Sequence, residues 1–189
     1  VQERKEQYRQ NGITYYRPWI TLADEKSGAI LATPVFPQGN FHSVDPKTVQ
    51  EDLRTVFQRW SLPKKLRVDN GHPWGGWSDL PPAFALWLIG LGIQMIWNPP
   101  CQPQKNGIVE RAQGTTDRWA DPQTCESVET LQAHLNGDTH PKKQHPFAHH
   151  KSRAAAYPEV MDSPRPYQKK REAHRFQLAR VAHFLSGHV

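Results

Sequence analysis

The chain has 189 residues, a formal net charge of +6 and moderate apolar content, with seven Trp and seven Phe to bury. That length fits one domain of ordinary size with room for a tail. The longest apolar run, residues 81–97, is interrupted by Gly90, Gly92 and Gln94, which argues against a membrane span of roughly 20 consecutive apolar residues and for a core segment.

In chain order, "ITYYRPWITL" (13–22) is rich in β-branched and aromatic residues. "ADEKSG" follows as turn material, and "AILATPVF" (29–36) predicts a second strand, so the two form a hairpin. Pro18 and Pro34 point to strand edges or ends. "VDPKTVQEDLRTVFQRW" predicts a helix. Asp45 suits the cap and Pro46 the first helical position, and Val49, Leu53, Val56, Phe57 and Trp60 make one apolar stripe. "LRVDNG" (66–71) is a short strand running into an Asn-Gly turn. "LPPAFALWLIG" predicts a second helix and "IQMIW" (93–97) another strand. After a polar loop over 98–105, a third helix starts from Asn106. A further helix is expected around 127–136. The His/Lys/Pro-rich stretch 137–152 is a linker by composition, and "REAHRFQLARVAHFLSG" is a basic amphipathic helix. Alternating strands and helices give an α/β fold.

The charge is unevenly placed. Residues 142–189 hold ten Lys+Arg and three Asp+Glu, whereas the remaining 141 residues hold 14 basic and 15 acidic. A near-neutral body with a basic tail suits a polyanion, nucleic acid first; a solvated tail is the plain alternative. The two cysteines, Cys101 and Cys125, form no CxxC pair, and no signal-peptide pattern opens the chain. A reduced, cytoplasmic compartment without membrane association is expected.

Two acids stand out. Asp69 ends its strand where the chain must turn, and open α/β sheets place chemistry beyond such strand ends. Glu110 sits in the first turn of the third helix. There Ile108, Val109, Ala112, Thr116 and Trp119 form the expected buried stripe, with Glu110, Gln113, Gly114 and Asp117 off it. Asn106 suits the N-cap, and Gly107 permits close approach of another strand. Each acid also has a structural explanation: Asp before Asn-Gly forms turns, and an acid near a helix N-terminus is favoured by the dipole.

Taken together, "VDNGHPWG" and, 41 residues after Asp69, "PQKNGIVERAQG" resemble the catalytic core of DDE integrases and transposases, the retroviral-integrase-like branch of the ribonuclease H-like superfamily. "YYRPWITLADEKSGAIL" resembles that family's second and third strands, and "LPPAFALWLIGLGIQMIWNPP" its helix and strand leading to a mobile loop. "RAAAYPEV" and "RPYQKKREAHRFQLARVAHFL" resemble, more weakly, sequence that follows the core in bacterial insertion-sequence transposases. The likeness covers roughly residues 1 to 120. It implies a ribonuclease H-like mixed sheet flanked by helices, with a basic helical C-terminal tail. The expected division is a core over 1–136, a linker over 137–152 and a tail over 153–189.

By the resemblance, Asp69 matches the family's second acid and Glu110 its third. The first acid is an Asp in the first strand. The best register puts Glu3 there, with Glu6 and Asp24 as lesser candidates, and "QERKEQ" is not β-prone. The implied activity is cleavage of DNA element ends and strand transfer to target DNA. Asp69, Glu110 and Glu3 would hold Mg²⁺ or Mn²⁺, two ions in an active enzyme. Lys105, Asn106 and Gly107 would contact DNA near the helix N-terminus, with Arg111, Arg118, Lys64, Lys65 and Arg67 lining a groove or simply solvated. The implied partners are DNA and further copies of the chain. The family also has a DNA-binding region ahead of the core, which is absent before Val1, so a fragment or a degenerate copy is an alternative expectation. Two rival functions stay open: an inactive DNA-binding or assembly-partner remnant, and a ribonuclease H-like nuclease. Trp74 and Trp77, beside Gly75 and Gly76, would either stack on bases or pad the core. Cys125 with His134, His140, His145, His149 and His150 fits no zinc spacing.

Overall fold

The structure, a computed structural model, describes residues 2–10, 13–36, 45–69, 71, 74–75, 81–99, 107–120, 124–138, 152–161 and 164–187; for 2–10, 13–18, 119 and 138 it describes the backbone alone. The chain divides into two compact units. One comprises Val1–Val44 and Pro103–Asp162, the other Asp45–Gln102 and Ser163–Val189. Trp77, Lys105, Asn106 and the histidines at 140, 145, 149 and 150 lie outside the described residues.

In the first unit, β1 (Gln2–Gln10) and β2 (Ile13–Ala23) pair antiparallel from Gln2↔Thr21 to Gln10↔Ile13. The charged run that propensity disfavours is therefore a strand. Strand preference depends on context, and here a long β-branched and aromatic partner supplies it. β3 (Ile30–Ala32) is shorter than the hairpin pattern suggested and pairs only Leu22 and Ala23, followed by a bridge between Trp19 and Val35. Pro34 lies past the end of β3, as its missing N–H requires, and its carbonyl accepts the Ile20 N–H at 3.1 Å. Pro18 lies within β2, beyond the ladder with β3.

The turn after β2 is built by Asp24. Its Oδ2 accepts both the N–H and the hydroxyl of Ser27, at 2.7 and 2.6 Å. Gly28 follows at φ 65°, a conformation that suits glycine. Against this sheet pack α3 (Gly107–Ala120) and α4 (Val128–Asp138). Trp19, Val35, Ala120, Cys125, Leu131 and Leu135 form the core between them. Gln132 of α4 covers the open backbone beside β3: its Oε1 accepts the Val35 N–H at 2.8 Å, and its Nε2 donates to the Thr33 carbonyl at 3.1 Å. That closes part of a sheet edge. The short α5 (Arg153–Ala156), capped by Ser152, lies by the turn, where Arg153 donates to the Ser27 carbonyl and Lys26 pairs with Glu159.

The second unit opens with α1 (Pro46–Trp60), which starts as its sequence dictates. Asp45 accepts the Thr48 N–H at 3.0 Å and Pro46 takes the first position. Val49, Leu53, Val56 and Phe57 are buried; Trp60 is half-buried and carries the Arg59 guanidinium 4.9 Å from its ring centre. β4 (Lys65–Val68), α2 (Ala83–Gly90) and β5 (Gln94–Trp97) form a βαβ unit whose strands pair parallel, Lys65↔Gln94 to Val68↔Trp97.

The C-terminal segment belongs to this unit. The single basic helix expected from its pattern is two helices, α6 (Glu172–Arg175) and α7 (Leu178–Ser186). The chain becomes extended at Phe176, whose ring occupies the space a Cβ on Gly90 would need, 2.0 Å from that position. The Gln177 N–H then donates to the Gly90 carbonyl at 3.0 Å. Docking on the end of α2 thus outcompetes continuation of the helix. Among the described residues no helix is long and apolar enough to cross a membrane.

Candidate active site

Asp69 is the first residue beyond β4 and is half-buried, next to the fully buried Val68. It therefore lies at the carboxyl end of the parallel pair, the end where open α/β sheets carry their sites. Its Oδ1 accepts the Gly71 N–H at 3.0 Å. Its Oδ2 has no partner among the described residues.

The described residues of the loop that follows, Gly71, Trp74 and Gly75, are tied together. The Gly71 carbonyl accepts from Trp74 and Gly75 at 2.9 and 3.0 Å. The Trp97 indole N–H donates to the Trp74 carbonyl at 2.9 Å. Trp74 is 1% exposed and meets Phe84 edge-on at 5.1 Å, so it pads the core and offers no face to a base.

Sequence reasoning missed Asn98 at the same end of the sheet. It is buried, its N–H donates to the Val68 carbonyl at 3.0 Å, and its Oδ1 lies 3.5 Å from an Arg67 Nη. The only signal for it was its place directly after the strand, ahead of two prolines.

Glu110 belongs to the first turn of α3 and is exposed. It has no hydrogen-bond or ion-pair partner among the described residues. The buried face of α3 carries Val109, Ala112, Gln113, Thr116 and Ala120, while Ile108 is 41% exposed. The stripe is thus rotated from the expected one: Gln113 enters the core and Ile108 leaves it. Arg111 and Arg118 are exposed on this helix; Arg118 donates to the Gly114 carbonyl at 3.0 Å. A Cβ added to Gly107 would meet nothing within 4 Å among the described residues.

Glu3 lies in β1, opposite Ile20. Glu6 lies opposite Arg17 in the same strand. Asp24 spends its carboxylate on Ser27, as a turn-builder. Glu3 and Glu110 belong to the first unit and Asp69 to the second. Among the described residues no three Asp, Glu, His or Cys side chains gather as a metal group; the Glu3 side chain is not among them. Taken singly, the Asp69 and Glu110 carboxylates, with oxygens that have no partner among the described residues, are donors of the kind a hard divalent cation takes. Cys125 is buried, with Sγ 3.5 Å from His134 Nδ1, which itself lies 3.2 Å from the Ala120 carbonyl. That pair serves the α3–α4 junction.

No protein-family profile matches the chain. Solved structures do resemble it. A chain of the simian T-cell lymphotropic virus intasome in complex with PP2A regulatory subunit B56 gamma matches with a TM-score of 0.60 and 16% identity, covering 88% of this chain and 55% of that one. The catalytic core domain of BIV integrase matches with a TM-score of 0.54 and 19% identity, covering 83% of this chain and 93% of that one. This chain thus spans little more than half of the intasome chain and most of the isolated core domain. The shared feature is architecture, and the fold is mixed α/β, similar to that of an integrase catalytic core.

Proposed function

We propose that this chain is a transposase or integrase core, of the bacterial insertion-sequence type, that cuts DNA and joins strands with divalent metal. The observation that carries the reading is Asp69: an acid with an oxygen that has no partner among the described residues, directly beyond a parallel strand, in a fold similar to that of integrase cores. Asp69, Glu110 and Glu3 are the proposed ligands of Mg²⁺ or Mn²⁺. Bound there, two such ions would stabilise charge on attacking and leaving oxygens. Gly71 orients one oxygen of Asp69 and leaves the other to bind. Glu110 adds charge at a helix start, and Lys105, Asn106, Gly107, Arg111 and Arg118 hold the phosphate backbone beside it. In cleavage, water forms a bond to phosphorus and the 3′ oxygen leaves as a hydroxyl. In joining, that hydroxyl attacks a target phosphorus and displaces its 3′ oxygen. The proposed partners are element-end and target DNA and further copies of the chain, in the cytoplasm.

The test is calorimetric titration of Mg²⁺ and Mn²⁺ into the chain and into Asp69→Asn/Glu110→Gln. Binding in the first that vanishes in the second supports the reading, and nicking of a DNA end then follows as the assay. Absence of binding in the unmutated chain overturns it. One observation favours a second reading, an inactive DNA-binding relative: position 3 carries Glu, one methylene longer than the family's Asp, and a shift of order 1 Å can cost about 100-fold in rate. Glu3→Asp separates the two. A silent protein that gains metal-dependent nicking is a decayed enzyme.

A further inference from the structure

Residues 163–189 contain six Lys+Arg and one acid, Glu172. That acid is spent elsewhere in its unit. Its two oxygens accept from Arg54 at 2.9 and 2.6 Å, from the Trp87 indole N–H at 3.2 Å and from the Tyr167 hydroxyl. Lys169 reaches Glu51 at 2.6 Å. Arg165, Arg175 and Arg180 are left with no carboxylate partner among the described residues.

Arg165 and Arg180 meet just past the end of α2, and the Arg175 backbone adjoins Arg180. Arg180 Nη1 and Arg165 Nη2 come within 2.8 and 3.3 Å of one point, the place a Cβ on Gly92 would take. Gly92 is held at φ 78°, where other residues are strained. Arg165 donates to the carbonyls of Pro63 and Gly92 at 2.6 and 2.9 Å; Arg180 donates to the Gly90 carbonyl at 3.1 Å and lies 3.4 Å from the Arg175 carbonyl. Burial, then the charges of Arg175 and Arg180, lower the Arg165 pKa.

Capping of α2 explains two of these arginines in part. It does not balance the charge, because a helix C-terminus supplies only about half a negative charge against three positive ones. Nor does it use the donors. A guanidinium has five N–H groups, and the Arg175 side chain has no hydrogen-bond partner among the described residues. Planar, permanently charged guanidiniums with donors to spare match phosphate oxygens.

We propose that Arg165, Arg175 and Arg180 form a second nucleic-acid contact, one that grips the phosphodiester backbone and is built separately from the Asp69 and Glu110 site. The choice of nucleic acid as the polyanion rests on the proposed function. The binding itself needs neither acid nor metal.

The experiment is fluorescence anisotropy of a labelled short duplex DNA with the full chain, in EDTA, across a salt series. Arg175→Gln is the test variant, since the Arg175 side chain makes no hydrogen bond or ion pair among the described residues. Lys47→Gln, an exposed cation on α1 of the same unit, is the matched charge control. Thermal melts establish that both variants are folded. Arg175→Gln is expected to weaken binding about tenfold and to flatten the slope of log K against log salt by about 1, with Lys47→Gln near the unmutated chain and Arg175→Lys partly restored. Equal effects of Arg175→Gln and Lys47→Gln overturn the proposal, as does an unmutated chain that does not bind duplex in EDTA. Asp69→Asn/Glu110→Gln is expected to bind in EDTA at least as tightly as the unmutated chain. Loss of metal binding there with duplex binding intact would be a failure of the active-site reading alone.

Discussion

Asp69 does two things with its two oxygens. Oδ1 accepts the Gly71 N–H and shapes the turn, while Oδ2 has no partner among the described residues. Substitutions can separate these roles. Asn keeps an acceptor at Oδ1 and removes the charge, whereas Ala removes both. A hydrogen bond of this kind contributes about 1 kcal/mol. Asp69→Asn is therefore expected to melt within about 0.5 kcal/mol of the unmutated chain, and Asp69→Ala to lose about 1 kcal/mol. Denaturant unfolding checks both. If Asp69→Asn also abolishes metal binding, that loss cannot be a folding defect. The sequence located Asp69 at a strand end because the short strand beginning Leu66-Arg67-Val68 runs into an Asn-Gly turn. It did not locate Asn98, since a polar residue after a strand is ordinary loop material until its burial is known. For Glu110 the legible part was its place in the first turn of a helix. The rotation that exposes Ile108 and buries Gln113 came from packing on β2 and α4, which periodicity within one helix does not encode.

At the scale of elements, the helix end at Gly90 is where local and tertiary demands meet. Read alone, Gly90 merely interrupts an apolar run. In the structure it is the seat of the Phe176 ring, with a would-be Cβ 2.0 Å from Cε2. Ala at this position improves helix propensity by about 1 kcal/mol but forces Phe176 off α2, and overpacking of this kind costs about 1–3 kcal/mol. Gly90→Ala is expected to be destabilised overall, and the paired Gly90→Ala/Phe176→Ala variant to show a positive coupling in a double-mutant cycle. Equal or higher stability of Gly90→Ala would sink this account. By contrast α1 was legible except at Trp60, which is half-buried at the end of the stripe. Its cap, its proline and its stripe are all local, and Asp45→Ala is expected to cost about 1 kcal/mol in the same measurement. The opposite failures have one cause. β1 is a strand despite its composition because of its partner, and α6 and α7 are two helices despite a continuous pattern because Phe176 and Gln177 are claimed by α2.

At the scale of the whole molecule, each unit is assembled from two separated stretches of chain, and the second is closed by its C-terminal residues 163–189. The closure is electrostatic as well as apolar. Tyr167 sets its ring edge-on to Phe57 at 5.9 Å, and the Arg54 guanidinium lies 5.1 Å from the centre of the Trp87 ring. Glu172 joins these groups. Burial by itself would raise the Glu172 pKa, but hydrogen bonds from Arg54, Tyr167 and Trp87 outweigh it, and the net value lies below the usual 4.5. A carboxyl whose pKa is depressed on folding adds stability that is complete above its unfolded value and is lost as the pH falls through its folded value. The acid limb of the stability profile, below pH 4.5, is therefore where Glu172 shows. Arg54→Met leaves that carboxylate short of two charge-assisted bonds and is expected to cost about 2–3 kcal/mol at neutral pH. Glu172→Gln is expected to destabilise at neutral pH and to flatten the acid limb, so that the two proteins converge as the pH falls. Urea unfolding of both from pH 7 downward is the measurement. Parallel curves, offset by a constant, would mean that Glu172 holds the segment by shape alone and that its charge has no part in closing the unit.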